Sequence, residues 1–300
     1  MRRPDFFLVG AHKCGTTAMM DCLKQHPEVF VPAARKELDF FGSDLPFKRR
    51  RLSEEEYLAF FARATTERRA GESSPWYLYS THAALEIKAF SPSARILIML
   101  RSPVDMMYYL HSQRVYNGNE DIEDFETALA AEEERLRGLR LPQKASDDFG
   151  CFYRDVARYS KQVERYFTVF GKDHVHVILT EAFARHPGPI YRGVCRFLDV
   201  DWTFQPVFRI LNSRKRIRSE ALRNLLRRPH PTSDWLFRAL QLRPDRNGGY
   251  KGWLRRLNST SRALRPLDGA LRERLQLEFE PEVRRLGELL GRDLSHWCAR

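Results

Sequence analysis

Apolar residues occur along this chain in two patterns. Short continuous runs bounded by turn residues predict buried strands, whereas apolar positions three or four residues apart predict helices that pack one face against a core. The first pattern predicts strands at residues 6–9, 70–77 (ending in a polar turn), 95–100 and 174–179. The second predicts helices at residues 18–24, 54–64, 81–90, 103–115, 122–139, 152–170, 189–198 and 271–290. Because no low-complexity linker divides the chain, we expect one α/β domain over residues 1–300.

Three of these helices have additional signals. Ser53 and Glu56 have the spacing of a capping box, which favours a helix start at residue 54. Phe125, Leu129 and Leu136 are expected on one buried face of the helix over 122–139. Gly291 is expected to close the long C-terminal helix.

The turn after the first strand has the composition of an anion site. The strand ends at Gly10, Lys13 and Gly15 lie in the turn, and Thr16 and Thr17 open a helix. A strand, a glycine-containing turn and a helix start aim backbone N–H groups at an anion. We therefore predict a phosphate or sulfate cradle. The nucleotide-triphosphate loop is excluded, because its lysine would follow the second glycine. The alternative is a buried strand followed by a chance turn.

A second cation follows the most apolar strand. Residues 95–100 have the continuous apolar character of a central parallel strand, and Arg101 comes directly after it, ahead of a helix that Pro103 opens. Ligands of open α/β sheets bind at the carboxyl ends of the strands. A cation at a helix start is opposed by the helix dipole, which favours an anionic partner for Arg101 over a role as a surface charge.

The segment 35–42 combines charge with aromatic residues. Its Phe40 and Phe41 can be buried while Glu37, beside Lys36, is held over the cradle. The alternative for Lys36 and Glu37 is a solvated ion pair next to a hydrophobic anchor.

The composition of the chain restricts which partners and which cellular compartment we expect for it. A net charge of +12 predicts attraction to polyanions: nucleic acid, a phosphorylated cofactor, an acidic glycan or an anionic membrane; an arginine-rich composition without such a partner is the alternative. The five cysteines show no metal-binding spacing and are expected to be free thiols of a reducing compartment. No run of about 18 apolar residues and no signal-like segment occurs. We therefore expect a cytoplasmic protein without a membrane span.

These motifs, in this order, resemble the sulfotransferase family. The resemblance rests on the cradle, on Lys-Glu-Leu-Asp-Phe-Phe at 36–41, on Gly-Glu-Ser-Ser-Pro at 71–75 and on the strand that ends in Arg101-Ser102-Pro103-Val104. It is greatest to the glycosaminoglycan-type branch and its soluble bacterial relatives. Residues 289–297 also resemble the C-terminal ending of that branch.

The resemblance implies a fold related to nucleotide kinases and 3′-phosphoadenosine 5′-phosphosulfate (PAPS) as the sulfuryl donor, with the 3′,5′-bisphosphate (PAP) as product. Arg101 would pair with the 3′-phosphate, and Glu37 would be the catalytic base. Lys13 would neutralise charge on the bridging oxygen as the nucleotide leaves. The 5′-phosphosulfate would be held by the whole cradle: Lys13, Cys14, Gly15, Thr16 and Thr17. No metal ion is required if Lys13 and backbone donors carry the charge.

The chain departs from the family pattern at several positions. Tyr109 stands where a serine usually touches the 3′-phosphate, with Ser112 one helical turn on. Ser73 stands where animal glycosaminoglycan enzymes have a second active-site lysine, so their substrate class does not transfer. The C-terminal cofactor loop is expected just before Pro266, with Arg262 as the candidate ligand.

Two other functions remain open from the sequence. One is a nucleotide-dependent kinase on a related fold, against which the order of the cradle residues argues. The other is a nucleic-acid-binding protein, suggested by the charge and by the basic segment 209–228, although no recognition motif supports it and we expect no nucleic-acid partner. The acceptor could be a glycan, a lipid or a small metabolite, since basic segments and Trp76, Tyr77 and Trp253 suit different classes. The oligomeric state is not determined by these patterns.

Overall fold

A computed structural model describes residues 2–143, 145–208 and 265–298, together with the backbone of two short strands at 216–217 and 259–260. The strands are β1 Phe6–Gly10, β2 Val29–Phe30, β3 Arg69–Ser73, β4 Arg95–Leu100, β5 Val175–Leu179, β6 Arg216–Ile217 and β7 Ser259–Thr260. The first five form a sheet in the order β2-β3-β1-β4-β5, and β6 pairs with β7.

Helices connect these strands and flank the sheet. They are α1 Thr16–Lys24, α2 Glu54–Ala59, α3 Ala83–Phe90, α4 Pro103–Asn117, α5 Phe125–Ala130, α6 Glu132–Leu136, α7 Tyr153–Val156, α8 Tyr159–Phe170, α9 Thr180–Arg185, α10 Pro187–Leu198 and α11 Gly269–Leu290. Single 3₁₀ turns cover Pro75–Tyr77, Phe149–Cys151, Lys172–His174 and Ser295–Trp297. No helix in the described ranges combines the length and the apolar character needed to cross a bilayer.

Every pairing within the five-stranded sheet is parallel, which confirms the predicted α/β architecture. β4 lies between β1 and β5, and its residues from Ile96 to Leu100 are completely buried, as its apolar run predicted. In a parallel sheet the carboxyl ends of all strands meet at one edge. The cradle after β1, the polar turn after β3 and Arg101 after β4 therefore lie at the same edge.

Two predicted helix boundaries agree with the structure in detail. Ser53 caps α2: its Oγ accepts from the N–H of Glu56 at 3.2 Å, and its own N–H donates to the Glu56 carboxylate at 2.8 Å. α11 ends at Gly291, whose φ of 62° is the left-handed conformation expected of a C-terminal glycine. α2 is shorter than expected, because after Ala59 the chain continues in tighter turns with N–H groups bonded three residues back.

The helix expected over 122–139 is divided into two helices, and the prediction that Leu136 is buried is wrong. The chain breaks at Ala131, and the second helix turns its charged side inward. Arg135 is completely buried and donates to Glu120 at 2.8 Å, whereas Leu136 is 75% exposed. The buried ion pair, formed with a residue outside the helix, therefore overrides the local apolar pattern.

The helix expected over 152–170 is also interrupted, at residues 157 and 158. Gln162 donates to the carbonyl of Val156 at 3.1 Å and so satisfies a backbone group at the end of α7. The predicted apolar stripe is nevertheless buried throughout: Val156, Tyr159, Val163, Tyr166 and Phe170.

Candidate functional site

The cradle is an uncapped helix start. Gly15 precedes α1 with a φ of 85°, and no side chain caps this end of the helix. Within the described residues, no hydrogen-bond acceptor faces the backbone N–H groups of Gly15, Thr16 and Thr17. The first N–H groups of a helix have no intrahelical partner, and together with the dipole they favour a bound anion.

Gly10 allows the polar turn after β3 to approach the cradle. A Cβ atom at Gly10 would lie 2.6 Å from the Cβ of Leu78 and 2.9 Å from the carbonyl oxygen of Pro75. The N–H of Leu78 donates to the carbonyl of Val9 at 2.8 Å, which fixes this contact. The segment 71–75 that supported the family resemblance is thus packed directly against the end of β1.

Lys13 points to α4, where its Nζ donates to the Gln113 side-chain oxygen at 3.1 Å. Burial and the neighbouring cations Lys36 and Arg101 lower the pKa of Lys13. The ammonium therefore lies among other positive charges and is hydrogen-bonded to a neutral amide. A bound anion would offset the repulsion between the cations and would give the ammonium a charged partner.

Arg101 lies beside the cradle, as expected from its place after β4. Its guanidinium is 4.6 Å from the centre of the Tyr109 ring, and it has no carboxylate partner among the described residues. Thr180 joins the two segments, because its hydroxyl contacts the carbonyl of Cys14 at 2.7 Å and that of Leu100 at 2.9 Å. The two predicted anion-binding segments are therefore neighbours in the folded chain.

The side chain of Cys14 is turned away from the cradle into the core. Its side chain is completely buried, with Sγ 3.9 Å from the Tyr159 hydroxyl. Burial raises the pKa of Cys14 to about 11, so the thiol is protonated.

Glu37 lies in the loop between β2 and α2. It is 30% exposed and 3.3 Å from the ammonium of Lys36. Its negative charge acts on the pKa values of both His12 and Lys13, so the carboxylate is within electrostatic reach of the cradle. The solvated Lys36–Glu37 pair considered from the sequence is present, and it lies beside the cradle.

His12, just before Lys13, was not recognised from the sequence. Its ring centre lies 4.0 Å from that of Trp76, and its Nε2 is buried without a hydrogen-bond partner. Burial lowers the pKa of His12 to about 4, against the opposing charges of Glu37 and Asp147. The imidazole is therefore neutral near pH 7.

A buried network behind the Glu37 loop was also missed. The N–H groups of residues 38–41 donate in pairs to two hydroxyls: the first two to Ser74 at 3.1 and 3.0 Å, the last two to Tyr77 at 2.9 and 3.4 Å. Both hydroxyls donate to Glu72, each at 2.7 Å. The sequence signal was the group of polar residues after β3, whose partners could not be identified without the fold.

The C-terminal part of the expected site is only partly described. Tyr108, next to Tyr109, donates to the carbonyl of Arg265 at 2.8 Å, which brings the chain before α11 to α4. Arg262 and the basic segment 209–228, apart from the strand at 216–217, lie outside the described residues. In the described ranges, no three His, Cys, Asp or Glu side chains are grouped to hold a metal ion.

The chain is similar to proteins of one family. The family described as "Sulfotransferase domain" matches residues 3–225. The solved structure of a sulfotransferase from Alicyclobacillus acidocaldarius aligns with 100% of both chains at 31% identity and a TM-score of 0.74.

Curated relatives are more distant. Bifunctional heparan sulfate N-deacetylase/N-sulfotransferase 1 of Caenorhabditis briggsae is 21% identical over 66% of this chain and 23% of its own length. Carbohydrate sulfotransferase 15 of Rattus norvegicus is 24% identical over 70% of this chain and 44% of its own length. This chain thus spans less than half the length of either relative.

Proposed function

This chain belongs to the sulfotransferase family, and we propose that it transfers a sulfuryl group from PAPS to a hydroxyl or amine of an acceptor. The observation that carries the proposal is the juxtaposition of an uncapped helix start with two cations, Lys13 and Arg101, that have no carboxylate partner among the described residues.

The chemistry of this region fits the proposed donor. PAPS, when bound, supplies an activated sulfuryl group at one end and a phosphate on its ribose at the other. The N–H groups of Gly15, Thr16 and Thr17 offer donors for sulfate and phosphate oxygens. The planar guanidinium of Arg101 suits a phosphate monoester, to which it can donate two parallel hydrogen bonds. We assign the 3′-phosphate to Arg101, with Tyr109 and Arg262 as further contacts.

Charge stabilisation is the main task of Lys13. Sulfuryl transfer, like phosphoryl transfer, asks the protein chiefly for in-line positioning and for stabilisation of charge on the departing oxygen. The Lys13 ammonium and the cradle N–H groups provide fixed positive charge where that oxygen would leave. The threonine hydroxyls at 16 and 17 add donors to the same oxygens.

Glu37 is assigned as the general base. Its carboxylate is partly exposed and within electrostatic reach of Lys13, so an acceptor hydroxyl can approach it from solvent. A positioned base that removes the acceptor proton contributes about 10²- to 10⁴-fold. His12 is assigned no proton transfer, because its Nε2 is buried and its pKa, lowered to about 4, makes it a weak base.

A glycan is the first acceptor class to test. Both curated relatives carry names that refer to carbohydrate substrates, and the exposed ammonium of Lys36 lies beside Glu37. Lipid and small-metabolite acceptors belong in the same panel, because the departure at Ser73 leaves the animal substrate class unsupported for this chain.

Calorimetric titration with PAP and with ATP tests the donor, and transfer from ³⁵S-labelled PAPS to an acceptor panel tests the reaction. We expect PAP to bind and ATP to bind at least about tenfold more weakly, a free-energy difference of about 1.4 kcal/mol. Lys13→Ala should abolish transfer, whereas Lys24→Ala, at the exposed end of α1, should not. Preferential binding of ATP, or full turnover in Lys13→Ala, would refute the proposal.

A further inference from the structure

The loop that carries Glu37 is held by side chains. Its N–H groups from residue 38 to 41 donate to the hydroxyls of Ser74 and Tyr77, and the next two, of Gly42 and Ser43, donate to the carboxylate of Glu86. A loop without strand pairing must satisfy its buried backbone groups in this way. Its conformation therefore depends on where those hydroxyl oxygens are and how they are oriented.

Glu72 fixes that orientation. A hydroxyl has one proton and two lone pairs, and in Ser74 and Tyr77 both lone pairs face loop N–H groups. Each proton is then directed at Glu72, which accepts from Ser74 on one oxygen and from Tyr77 on the other, both at 2.7 Å. Glu72 is only 2% exposed, so water cannot easily replace these bonds. Hydrogen bonds arranged in series in a low-dielectric interior reinforce one another.

We propose that Glu72, Ser74 and Tyr77 form an amide relay, and that Glu72 is a positioning residue for Glu37. The relay begins at the N–H of Leu38, the residue next to Glu37, and Leu38 is itself buried. It sets the backbone from which the Glu37 carboxylate extends toward the acceptor. This inference rests on the proposed function, because it takes Glu37 to be the base.

Two buried tyrosines provide a matched comparison. Tyr57 and Tyr77 both donate to the same oxygen of Glu72, at 3.2 and 2.7 Å, and both are almost completely buried. Of the two hydroxyls, that of Tyr77 also accepts from the loop N–H groups. Tyr77→Phe removes a member of the relay, whereas Tyr57→Phe removes a bond to Glu72 and leaves the relay intact.

The first experiment measures transfer by these two variants. We expect Tyr77→Phe to lower kcat about 10-fold or more, since small displacements of a catalytic group can cost up to about 10²-fold. Tyr57→Phe should stay within about twofold of wild type, and PAP affinity should be unchanged in both. Equal losses of kcat in the two variants would overturn the relay.

The second experiment is a double-mutant cycle between Glu72→Gln and Glu37→Gln. The glutamine amide cannot accept at both ends, so Glu72→Gln should lower kcat about 10- to 100-fold. If Glu72 acts through Glu37, adding Glu72→Gln to Glu37→Gln should cost less than about twofold further, because residues in one network are not additive. A general loss of stability would lower kcat in both backgrounds, so losses that multiply would overturn the inference.

Failure of the proposed function gives a different result. Full turnover in Glu37→Gln would remove the base assignment itself, and with it the target of the relay. If Glu37→Gln lowers kcat as expected, but the kcat losses of Glu37→Gln and Glu72→Gln multiply in the double variant, the relay is rejected and the base assignment of Glu37 stands. If Glu72→Gln does not fold, the Tyr57 and Tyr77 pair still decides, because each change removes a single hydroxyl.

Discussion

Replacement of His12 by phenylalanine should make the folded protein less sensitive to acid. The ring of His12 packs on Trp76 at 4.0 Å, a contact that phenylalanine can retain. The buried Nε2 has no partner, so the substitution removes an unsatisfied polar atom as well as a titrating group. At pH 7.5 we therefore expect the free energy of unfolding to change little or to rise.

The acid effect can be calculated from the pKa of His12. It is about 4 in the folded protein, because burial disfavours the imidazolium, and 6.5 in an unfolded chain. Between these values the unfolded state binds more protons, so stability is fully present above about pH 6.5 and is lost as the pH falls toward 4. At about 1.36 kcal/mol per pH unit, the full difference is about 3.4 kcal/mol, of which about 2 kcal/mol is lost by pH 5.

Urea unfolding of wild type and His12→Phe at pH 7.5 and pH 5.0 measures this difference. Wild type should lose about 2 kcal/mol more than the variant over that interval. His176→Phe is a comparison outside the site: burial also lowers the pKa of His176 to about 4, and its ring stacks on Phe197. His176→Phe should also lose less unfolding free energy than wild type between pH 7.5 and pH 5.0, and its sulfuryl-transfer rate should be normal. Parallel losses in wild type and His12→Phe would refute the reasoning, because they would mean that His12 is not buried as a neutral ring.

The remaining site residues should respond in distinct ways. Burial and neighbouring cations lower the pKa of Lys13, so kcat/KM should fall at a lower alkaline pH than an ordinary lysine would give. Bound nucleotide should raise this pKa, so kcat should fall at a higher pH than kcat/KM does. A fall of kcat and kcat/KM at the same pH would contradict this prediction. Thr180→Val should destabilise the protein by about 1–3 kcal/mol in urea unfolding, because the buried carbonyls of Cys14 and Leu100 lose the one hydroxyl proton that lies between them, whereas Thr180→Ser should not. Arg101→Ala should weaken PAP about 10- to 100-fold by calorimetry and leave adenosine 5′-phosphate unchanged; equal losses would reject the 3′-phosphate assignment. Tyr109→Phe keeps the ring under Arg101 and should weaken PAP binding through the lost hydroxyl; equal affinity would limit Tyr109 to packing.

The parts of the fold that are encoded locally could be predicted from the sequence. β1 and β4 are continuous apolar runs, and the capping box at Ser53 depends on residues three apart. The cradle was predictable for the same reason, because a strand, a turn and a helix start are contiguous. That its neighbour would be Arg101 followed from a rule of parallel sheets, which brings the carboxyl ends of strands to one edge.

Features that depend on distant partners could not be predicted in this way. Leu136 was expected in the core, but Arg135 takes the buried position because Glu120, 15 residues earlier, is there to pair with it. Thr180 contacts a carbonyl 166 residues away in sequence. The relay from Glu72 joins two loops through hydroxyl groups, which have no hydrophobic periodicity. Polar side chains that are buried by contacts far apart in sequence leave little pattern in the chain itself.

The distribution of ion pairs supports an anion at the sheet edge. Arg114 and Arg135, which are the most buried arginines in the described ranges, are each paired with a carboxylate, at 2.7 and 2.8 Å. This is required, because an unpaired charge away from water is costly. Lys13 and Arg101 are partly buried near one another; among the described residues, Lys13 is hydrogen-bonded to a neutral amide and Arg101 lies over an aromatic ring.

Among the described residues, Lys13 and Arg101 lie beside unpartnered N–H groups and form no ion pair, and the nearby Glu37 carboxylate is itself paired with Lys36. Burial, followed by repulsion from Lys36 and Arg101, lowers the pKa of Lys13, so the charged ammonium is disfavoured in the free protein. A ligand with negative charge at two positions can form a favourable ion pair with Lys13 and with Arg101 at the same time. We therefore expect a bisphosphorylated nucleotide to bind this region more tightly than a ligand with one anionic group.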